Sequence, residues 1–532
     1  MIKLRIIGTV FLCAAALAAC KKSSKTEPDP PGPTTPTTGS RLELSLDTLY
    51  LFAKETYLWY DAIPDYNTFN PRGYAGSDDL ASLKSAMYKI SQLKENPTTQ
   101  KPYEYYIPSP SRSKFSFVES GNLARGIKGA LELEQSAVDL EGDGNDMGFL
   151  AIPVTFTTDP GKRYVYVAYV EKGSPANVAG LTRGCLITRV NGAAPPTDAG
   201  SLSSLTNSTT LSLEFTRPNN TQGTVNLTKT AYKNDPLTTY KVIQGTGGNK
   251  IGYLTLMRFS RIGVVKPSLD EAFNAFTAAG VNSLVVDLRY NGGGYVETFE
   301  YLANLIAPNA LNGKVMYKEQ FNDLLQQGKA PILKSLPLLD ANYKQQVSSS
   351  GKPLTYADVD FSLAGNVTDF SKKGTLNNVG KVVFIITGSS ASASELTINS
   401  LAAWPEYIDV KTVGSTSYGK PVGFFGIGID KFTVYMSQFS STNADNEGNY
   451  YAGMTPNMPE QDLVTKDFGD VQESSLAKAI NYINTGSTGR LSNARIAIAD
   501  GTVINASDLK MDPVVSPGFN GMIEHRRRLK PE

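Results

Sequence analysis

The fold is decided at residues 382–395, which read VVFIITGSSASASE. The unbroken apolar run predicts a buried strand, and the small residues after it lead into a predicted helix. Small side chains let a substrate backbone approach closely, and the free amides and positive dipole end of the helix favour a developing oxyanion. Ser392, just inside this predicted helix, can therefore act as a nucleophile if another group removes its proton.

Two other predicted strand ends carry reactive groups. Residues 283–294 read SLVVDLRYNGGG, and residues 413–421 read VGSTSYGKP. Sites in α/β folds form at the carboxyl ends of strands, so glycine amides of the first segment could form an oxyanion hole with the amide of Ala393. In the second segment, Lys420 could act as the base if burial lowers the pKa of its amine by about 3 units from the usual value near 10.4.

Composition nearly excludes histidine chemistry. The sequence has one histidine, His525, inside the basic run Glu524–Lys530. A Ser-His-Asp triad, a Cys-His pair or a multi-histidine metal site would have to use it, and its place in a terminal run favours a solvated residue. A net charge of +1 gives no electrostatic reason to expect nucleic acid as a partner.

The chain of 532 residues is too long for one hydrophobic core and predicts about three domains. Helical patterns occupy residues 41–96, short alternating strands occupy 116–230, and strands alternate with helices from residue 250 onward. The predicted fold class is therefore a multidomain α/β (α+β) protein. Its parts are a signal peptide at 1–20, a Pro/Thr-rich linker at 21–40, a helical domain at 41–115, a β-rich domain at 116–232, an α/β catalytic core at 233–484 and a C-terminal extension at 485–532 with no assigned function.

The β-rich region contains two phrases that resemble a PDZ domain, GSPANVAGL at residues 173–181 and GCLITRVNG at 184–192. The resemblance implies a loop that binds a peptide's terminal carboxylate while the peptide adds as a strand. That loop would consist of Met147, Gly148, Phe149 and Leu150. A β-rich spacer without binding activity is the alternative.

The first twenty residues have a short basic start and an apolar run too short to span a membrane, as in a signal peptide. They end in LAAC, which resembles a bacterial lipobox and implies cleavage before Cys20 and a diacylglycerol on its sulfur. The predicted location is the bacterial cell envelope, with a membrane anchor at Cys20 and either a periplasmic or an outward orientation. An ordinary signal peptide with an incidental cysteine is the alternative.

The three strand ends, in this order, resemble the carboxy-terminal processing peptidases, also called tail-specific proteases. The resemblance implies that Ser392 is the nucleophile, Lys420 the base and Glu395 an acid that orients or tunes the lysine. It also implies Gly294 and Ala393 as the oxyanion amides, with the choice among the three glycines at 292–294 left open. Three positions depart from the family pattern and leave the orientation of the lysine open: Ser415, Pro421 and Phe424.

The predicted function is a serine-type endopeptidase that forms an acyl-enzyme on Ser392 and needs no metal or organic cofactor. Its expected partners are protein or peptide substrates. The main alternative is an inactive PDZ lipoprotein that binds peptides or protein C-termini, and a lipoprotein that captures a small ligand is a third. The acidic stretch Asp139–Asn145 mimics a calcium loop, but Leu150 stands where the bidentate glutamate belongs, so a surface turn is predicted there.

Overall fold

The computed structural model describes residues 36–122, 138–156, 159–340, 344–489, 495–497, 503–505, 509–511, 521–524 and 527–530. The predicted signal peptide, Cys20 and His525 lie outside these ranges. Within them, the helices are too short or too polar to cross a lipid bilayer.

The amino-terminal part is helical and begins with a capped helix. Ser40 and Glu43 bond to each other's backbone amides at the start of the first helix, an arrangement that satisfies two amides which the helix itself leaves free. Short helices and strands follow, and their bounds are α1 (Arg41–Thr56), α2 (Tyr66–Phe69), α3 (Asp79–Ser91), β1 (Glu95–Asn96), β2 (Lys101–Pro102) and β3 (Phe117–Ser120).

The β-rich part forms a sheet in the order β26–β5–β6–β7–β8–β9. Alternate residues of β8 are buried, as expected where one face of a sheet packs on a core. Its strands and helices are β4 (Asp143–Asp146), β5 (Phe149–Phe156), β6 (Asp159–Val170), α4 (Pro175–Val178), β7 (Leu186–Val190), α5 (Ala199–Thr206), β8 (Thr210–Thr216), β9 (Gln222–Thr228), β10 (Thr230–Lys233) and, from the C-terminal extension, β26 (Leu509–Met511). Strand β26 pairs antiparallel with the Val154–Phe156 end of β5.

The α/β core is built on a sheet in the order β11–β12–β13–β17–β18–β23. Strands from β12 onward run parallel. Its elements are β11 (Leu237–Gln244), β12 (Lys250–Leu256), α6 (Ile262–Ala279), β13 (Ser283–Asp287), α7 (Val296–Ile306), β17 (Lys381–Ile386), α9 (Ala393–Ala402), β18 (Asp409–Gly414), β23 (Met458–Pro459) and α10 (Ser474–Thr485).

Helices cover both faces of this sheet, which explains why the central strands β12, β13 and β17 are buried over most of their length. Leu284 and Val286 of β13 pack with α6, α7 and α9, whereas Val285 between them packs with α10. The alternation follows from the two-residue period of a strand, so every residue of β13 is buried.

A second layer of short strands packs against the amino-terminal helices in one shared apolar cluster. It contains the sheets β16–β15–β22–β19 and β20–β21–β3, so β3 pairs with the core rather than with the β-rich sheet. The remaining bounds are β14 (Gly293–Tyr295), β15 (Val315–Phe321), α8 (Asp323–Gln326), β16 (Val367–Asp369), β19 (Val422–Gly423), β20 (Ile427–Ile429), β21 (Phe432–Tyr435), β22 (Phe439–Thr442), β24 (Arg495–Ala497), β25 (Val503–Asn505) and β27 (Gly521–Ile523).

Candidate active site

The three segments singled out in the sequence meet at one edge of the core sheet. Strands β13, β17 and β18 are neighbours and parallel, with Asp287 beside Ile385 and Ile385 beside Val413. Because parallel strands end at the same edge, the loops that follow them lie together, at the position where α/β folds place their sites.

Ser392 occupies a strained position at the start of α9. The amide of Ser394 donates to the carbonyl of Ala391 at 3.1 Å, which closes a turn around Ser392 with φ 58° and ψ −108° at that residue. Glycine is the residue that adopts this geometry without cost, so a serine here stores strain, as residues at active sites often do. The Ser392 side chain is buried, and its Oγ makes no hydrogen bond within the described residues.

Glu395 joins the serine turn to the lysine loop through main-chain amides. Its Oε2 accepts from the amides of Ser392 and Lys420, both at 2.8 Å. Its Oε1 accepts from the amide of Gly419 at 2.6 Å and from the hydroxyl of Ser417. Burial raises the pKa of the Glu395 carboxyl, and these hydrogen bonds oppose the rise. One carboxylate oxygen therefore holds the backbones of the two predicted catalytic residues beside each other.

Lys420 is fully buried and sits among aromatic rings. Its Nζ donates to the carbonyl of Phe115 at 3.3 Å and lies 4.4 Å from the centroid of the Phe424 ring. Burial lowers the pKa of the Lys420 amine to about 7, against opposing effects of nearby carboxylates. Because Ser392 Oγ has no hydrogen-bond partner in the described part of the chain, the direct bond expected between the two side chains is not formed in this arrangement.

Residues of the amino-terminal part complete the surroundings of the lysine, and no sequence pattern indicated them. The buried carboxylate of Glu104 accepts from the amides of Phe115 and Ser116, at 3.2 and 2.7 Å, and so fixes the carbonyl that holds Nζ. The charge of Glu104 raises the pKa of Lys420, whereas the charge of Lys114 lowers it. No local motif could have indicated these residues, because they lie some 300 positions away in sequence.

The glycine loop passes directly beside the serine. The amide of Gly293 donates to Oδ1 of Asn291 at 2.9 Å, so of the three candidate glycines this one has its amide already used inside the loop. Gly293 has φ 108°, and a Cβ there would lie 3.1 Å from Cβ of Ser392. Gly294 has φ 138°, and a Cβ there would lie 2.1 Å from the carbonyl oxygen of Phe259. Both positions therefore require glycine, for conformation and for space.

A buried charge network fixes the loop where it leaves β13. The guanidinium of Arg289 contacts Asp287 at 2.8 Å, Asp462 at 2.7 Å and Glu473 at 3.0 Å; Arg289, Asp287 and Glu473 are buried, and the Asp462 side chain is 9% exposed. Arg183 contacts Asp462 as well. The two arginines hold the pKa of Asp462 down at about 2 despite its burial.

The predicted carboxylate-binding loop lies at the start of β5, next to the end of α5. The amide of Met147 donates to the carbonyl of Thr206 at 3.0 Å, so it is already engaged. Gly148 has φ 73°, and a Cβ there would lie 2.0 Å from Cβ of Ser174, which makes glycine obligatory. Phe149 and Leu150 begin β5 itself, which pairs with β6.

Residues 250–451 match the family model of peptidase family S41. Among solved structures, a protein from Bacteroides fragilis described as an S41 protease is 20% identical, with a TM-score of 0.52, and the match covers 82% of this chain and 97% of that chain. The photosystem II D1 C-terminal processing protease is 16% identical, with a TM-score of 0.41, and the match covers 80% of this chain and 94% of that chain. No match was found among curated protein sequences.

The matched segment contains Asp287, Ser392 and Lys420, and therefore all three loops of the candidate site. The fold of the B. fragilis protein extends over most of this chain, in agreement with a multidomain α+β architecture. The resemblance predicted from the motifs is thus confirmed at the level of the domain: residues 250–451 match peptidase family S41, and this match supports serine peptidase activity.

Proposed function

We propose that the chain is an endopeptidase in which Ser392 is the nucleophile and Lys420 is the base. The observation that carries the proposal is the burial of the Lys420 amine, which brings its pKa to about 7, so that a large fraction is uncharged at neutral pH. A neutral amine can accept the proton of a serine hydroxyl, which a charged ammonium cannot do.

The reaction then proceeds through an ester on Ser392. As Oγ bonds to the substrate carbonyl carbon, its proton moves to Nζ of Lys420, and the oxyanion accepts hydrogen bonds from the amides of Ala393 and Gly294. Collapse breaks the peptide bond, and Nζ returns the proton to the leaving amine. Water then hydrolyses the ester by the same proton route and regenerates the hydroxyl.

The proposal requires one movement of the lysine. Its Nζ is held by the carbonyl of Phe115, and it must turn toward Oγ of Ser392 when substrate binds. Catalytic hydrogen bonds are often absent in free enzymes and form only in the substrate complex. Within the described residues Ser392 Oγ makes no competing hydrogen bond, so it is available to the lysine amine once that amine turns.

Degradation of casein by the purified chain from Arg41 onward tests the proposal. Ser392→Ala and Lys420→Met should abolish cleavage while the circular dichroism spectrum stays that of the wild type. Ser400→Ala is a matched control, because Ser400 lies on the same helix, is fully buried and also has an Oγ without a partner in the described residues. Equal cleavage by the wild type and Ser392→Ala would refute the assignment of the nucleophile.

The alternative of a peptide-binding protein without activity makes a different prediction. If none of the variants nor the wild type cleaves casein, yet all bind a peptide with a free C-terminus, the chain is a binding protein.

We further propose that the β-rich part engages the carboxyl terminus of a substrate at the edge of β5 that begins at Phe149. The support is that, in the part of the chain that the structure describes, β26 covers this edge of β5 only at Val154–Phe156, which leaves the stretch that begins at Phe149 available for an added strand. Binding of a fluorescent peptide with a free terminal carboxylate, compared with the same peptide as an amide, tests this step. Equal affinity for both peptides would argue against carboxylate recognition.

We also propose that Cys20 carries a lipid that anchors the chain in the cell envelope, on the basis of the LAAC sequence at residues 17–20. Cys20→Ser should move the protein from the membrane fraction to the soluble fraction and abolish incorporation of labelled fatty acid. Retention of the label in that variant would contradict the assignment.

A further inference from the structure

Strand β27 lies in a slot between the glycine loop and the strand after the lysine. On one side it pairs parallel with β14, with Gly521 beside Gly293 and Met522 beside Gly294. The amide of Gly521 donates to the carbonyl of Gly292 at 3.0 Å. On the other side, the amide of Phe424 donates to the carbonyl of Met522 at 3.3 Å. The segment therefore has backbone partners on both edges.

The slot adjoins the nucleophile. The point at which a Cβ on Gly293 would lie is 2.4 Å from the carbonyl oxygen of Gly521 and 3.1 Å from Cβ of Ser392. In addition, a parallel ladder in this register directs the Gly521 carbonyl toward the amide of Gly294. That amide is the one proposed above to receive the oxyanion, so the carbonyl of Gly521 lies where a substrate carbonyl would lie.

The side chains of the segment also contact the rest of the chain. Met522 is fully buried within the main apolar cluster of the core, and Ile523 packs with Tyr295 and Phe424. Further along, Arg527 forms an ion pair with Glu319 at 3.1 Å, and its guanidinium lies over the ring of Phe425. The slot thus recognises an extended backbone together with two consecutive apolar side chains.

From these contacts we infer that residues 521–524 occupy the substrate strand position of the site and act as an internal competitor of peptide substrates. The identification of the slot as the substrate position rests on the proposed function, but binding of a peptide to the slot can be measured without catalysis. The ligand class is an extended peptide that pairs with β14 and places two neighbouring apolar side chains where Met522 and Ile523 lie.

A binding assay on catalytically silent full-length protein tests the competition. The probe is a fluorescent peptide with the sequence PGFNGMIE of residues 517–524. The double variant with Ser392→Ala and Met522→Asp should bind the probe at least tenfold more tightly than the Ser392→Ala variant alone. A charged residue cannot stay in the apolar pocket, so the segment should leave the slot and make it available to the probe. A probe with Asp in place of Met should not bind to either protein.

Two further variants separate the competition from misfolding. Leu529→Asp places the same charge on an exposed residue of the same segment and should leave probe binding as weak as in Ser392→Ala alone. Gly521→Pro removes the amide that donates to Gly292 and should vacate the slot without placing a charge in the core. If Met522→Asp fails to fold, Gly521→Pro in the Ser392→Ala background is the deciding protein.

Activity provides a separate readout. In the active background, Gly521→Pro and Met522→Asp should raise kcat/KM for casein several-fold. Tighter probe binding without casein cleavage by any variant would refute the proposed function and leave the competition supported. The inference would be overturned if Ser392→Ala bound the probe equally well with and without Met522→Asp or Gly521→Pro. It would also be overturned if the peptide with Asp in place of Met bound as well as the original peptide.

Discussion

The pH dependence of peptide cleavage follows from the burial of Lys420. With a pKa of about 7, the amine is the active base only above that pH, so kcat/KM should fall about tenfold for each pH unit below 7. At pH 5 about 1% of the plateau value should remain, and activity should stay level above about pH 8. A lysine with an ordinary pKa near 10.4 would still be gaining activity at pH 9.

The fall of kcat/KM below pH 7 is the acid limb of the pH profile. Two neighbouring charges allow this limb to be shifted in opposite directions. Glu104 raises the pKa of Lys420, so Glu104→Gln should shift the limb to lower pH. Lys114 lowers it, so Lys114→Met should shift the limb to higher pH. The shift should be larger for Glu104→Gln than for Lys114→Met, because Glu104 ranks above Lys114 among the causes.

The assay is the initial rate of cleavage of a fluorogenic peptide between pH 5 and pH 9, at substrate concentrations well below KM. His525→Ala is the control, because His525 is the one histidine of the chain and its ordinary pKa is close to that expected here for the lysine. A limb that disappears in His525→Ala, or that moves the same way in Glu104→Gln and Lys114→Met, would refute Lys420 as the titrating base.

Three further outcomes concern stability. Ser392→Gly should be about 1 kcal/mol more stable than Ser392→Ala in urea denaturation, because only glycine adopts φ 58° without strain; equal stability would argue against a strained turn. Arg289→Met should lower the free energy of unfolding by about 3 kcal/mol or more, because it leaves buried carboxylates without their positive partner. The pKa of Asp462 is lowered to about 2, so the stabilisation by the network is present above the unfolded pKa near 4 and is lost as pH falls toward 2. The difference in free energy of unfolding between the wild type and Lys420→Met should rise by about 1.4 kcal/mol per pH unit between pH 7 and pH 10, because the unfolded lysine then binds more protons than the folded one. A difference that stays constant over this range would contradict the lowered pKa.

The strands and helices that carry the site could be predicted because each has a strong local pattern. The apolar run at 382–386 and the small residues after it define β17 and the start of α9 almost to the residue. Since three such strands end in chemically distinctive loops, parallel pairing alone was enough to expect Ser392, Lys420 and the glycine loop at one edge.

The contacts of Glu395 go beyond the effect on the lysine that was expected for it. Its spacing from Ser392 placed it on the correct helix turn, and its charge raises the pKa of Lys420. The structure shows the carboxylate bound to the amides of Ser392, Gly419 and Lys420, so it fixes backbones. Sequence spacing gives the face of a helix on which a side chain lies, but not which of a neighbour's atoms it reaches.

The C-terminal extension was the least predictable part. Its short apolar runs are too weak to indicate strands, because β26 and β27 are each three residues long. They are strands because they pair with the edges of β5 and β14, which lie far away in sequence. Strand structure that depends on such partners leaves little trace in the local sequence.

The reactivity of the lysine cannot be a property of its own motif. The family-matched segment at 250–451 contains Ser392 and Lys420, but the carbonyl of Phe115 and the carboxylate of Glu104 lie outside it. The buried ring of Phe115 lies 5.7 Å from Nζ and helps to bury the amine, and this desolvation is the main cause of the lowered pKa, which the charge of Glu104 opposes. If the amino-terminal part sets this pKa, a core with all its motif residues but an altered Phe115–Ser116 backbone has a protonated lysine at pH 7 and no base. The amino-terminal part is then a component of the catalytic machinery, because it determines the charge of the group that removes the proton from Ser392.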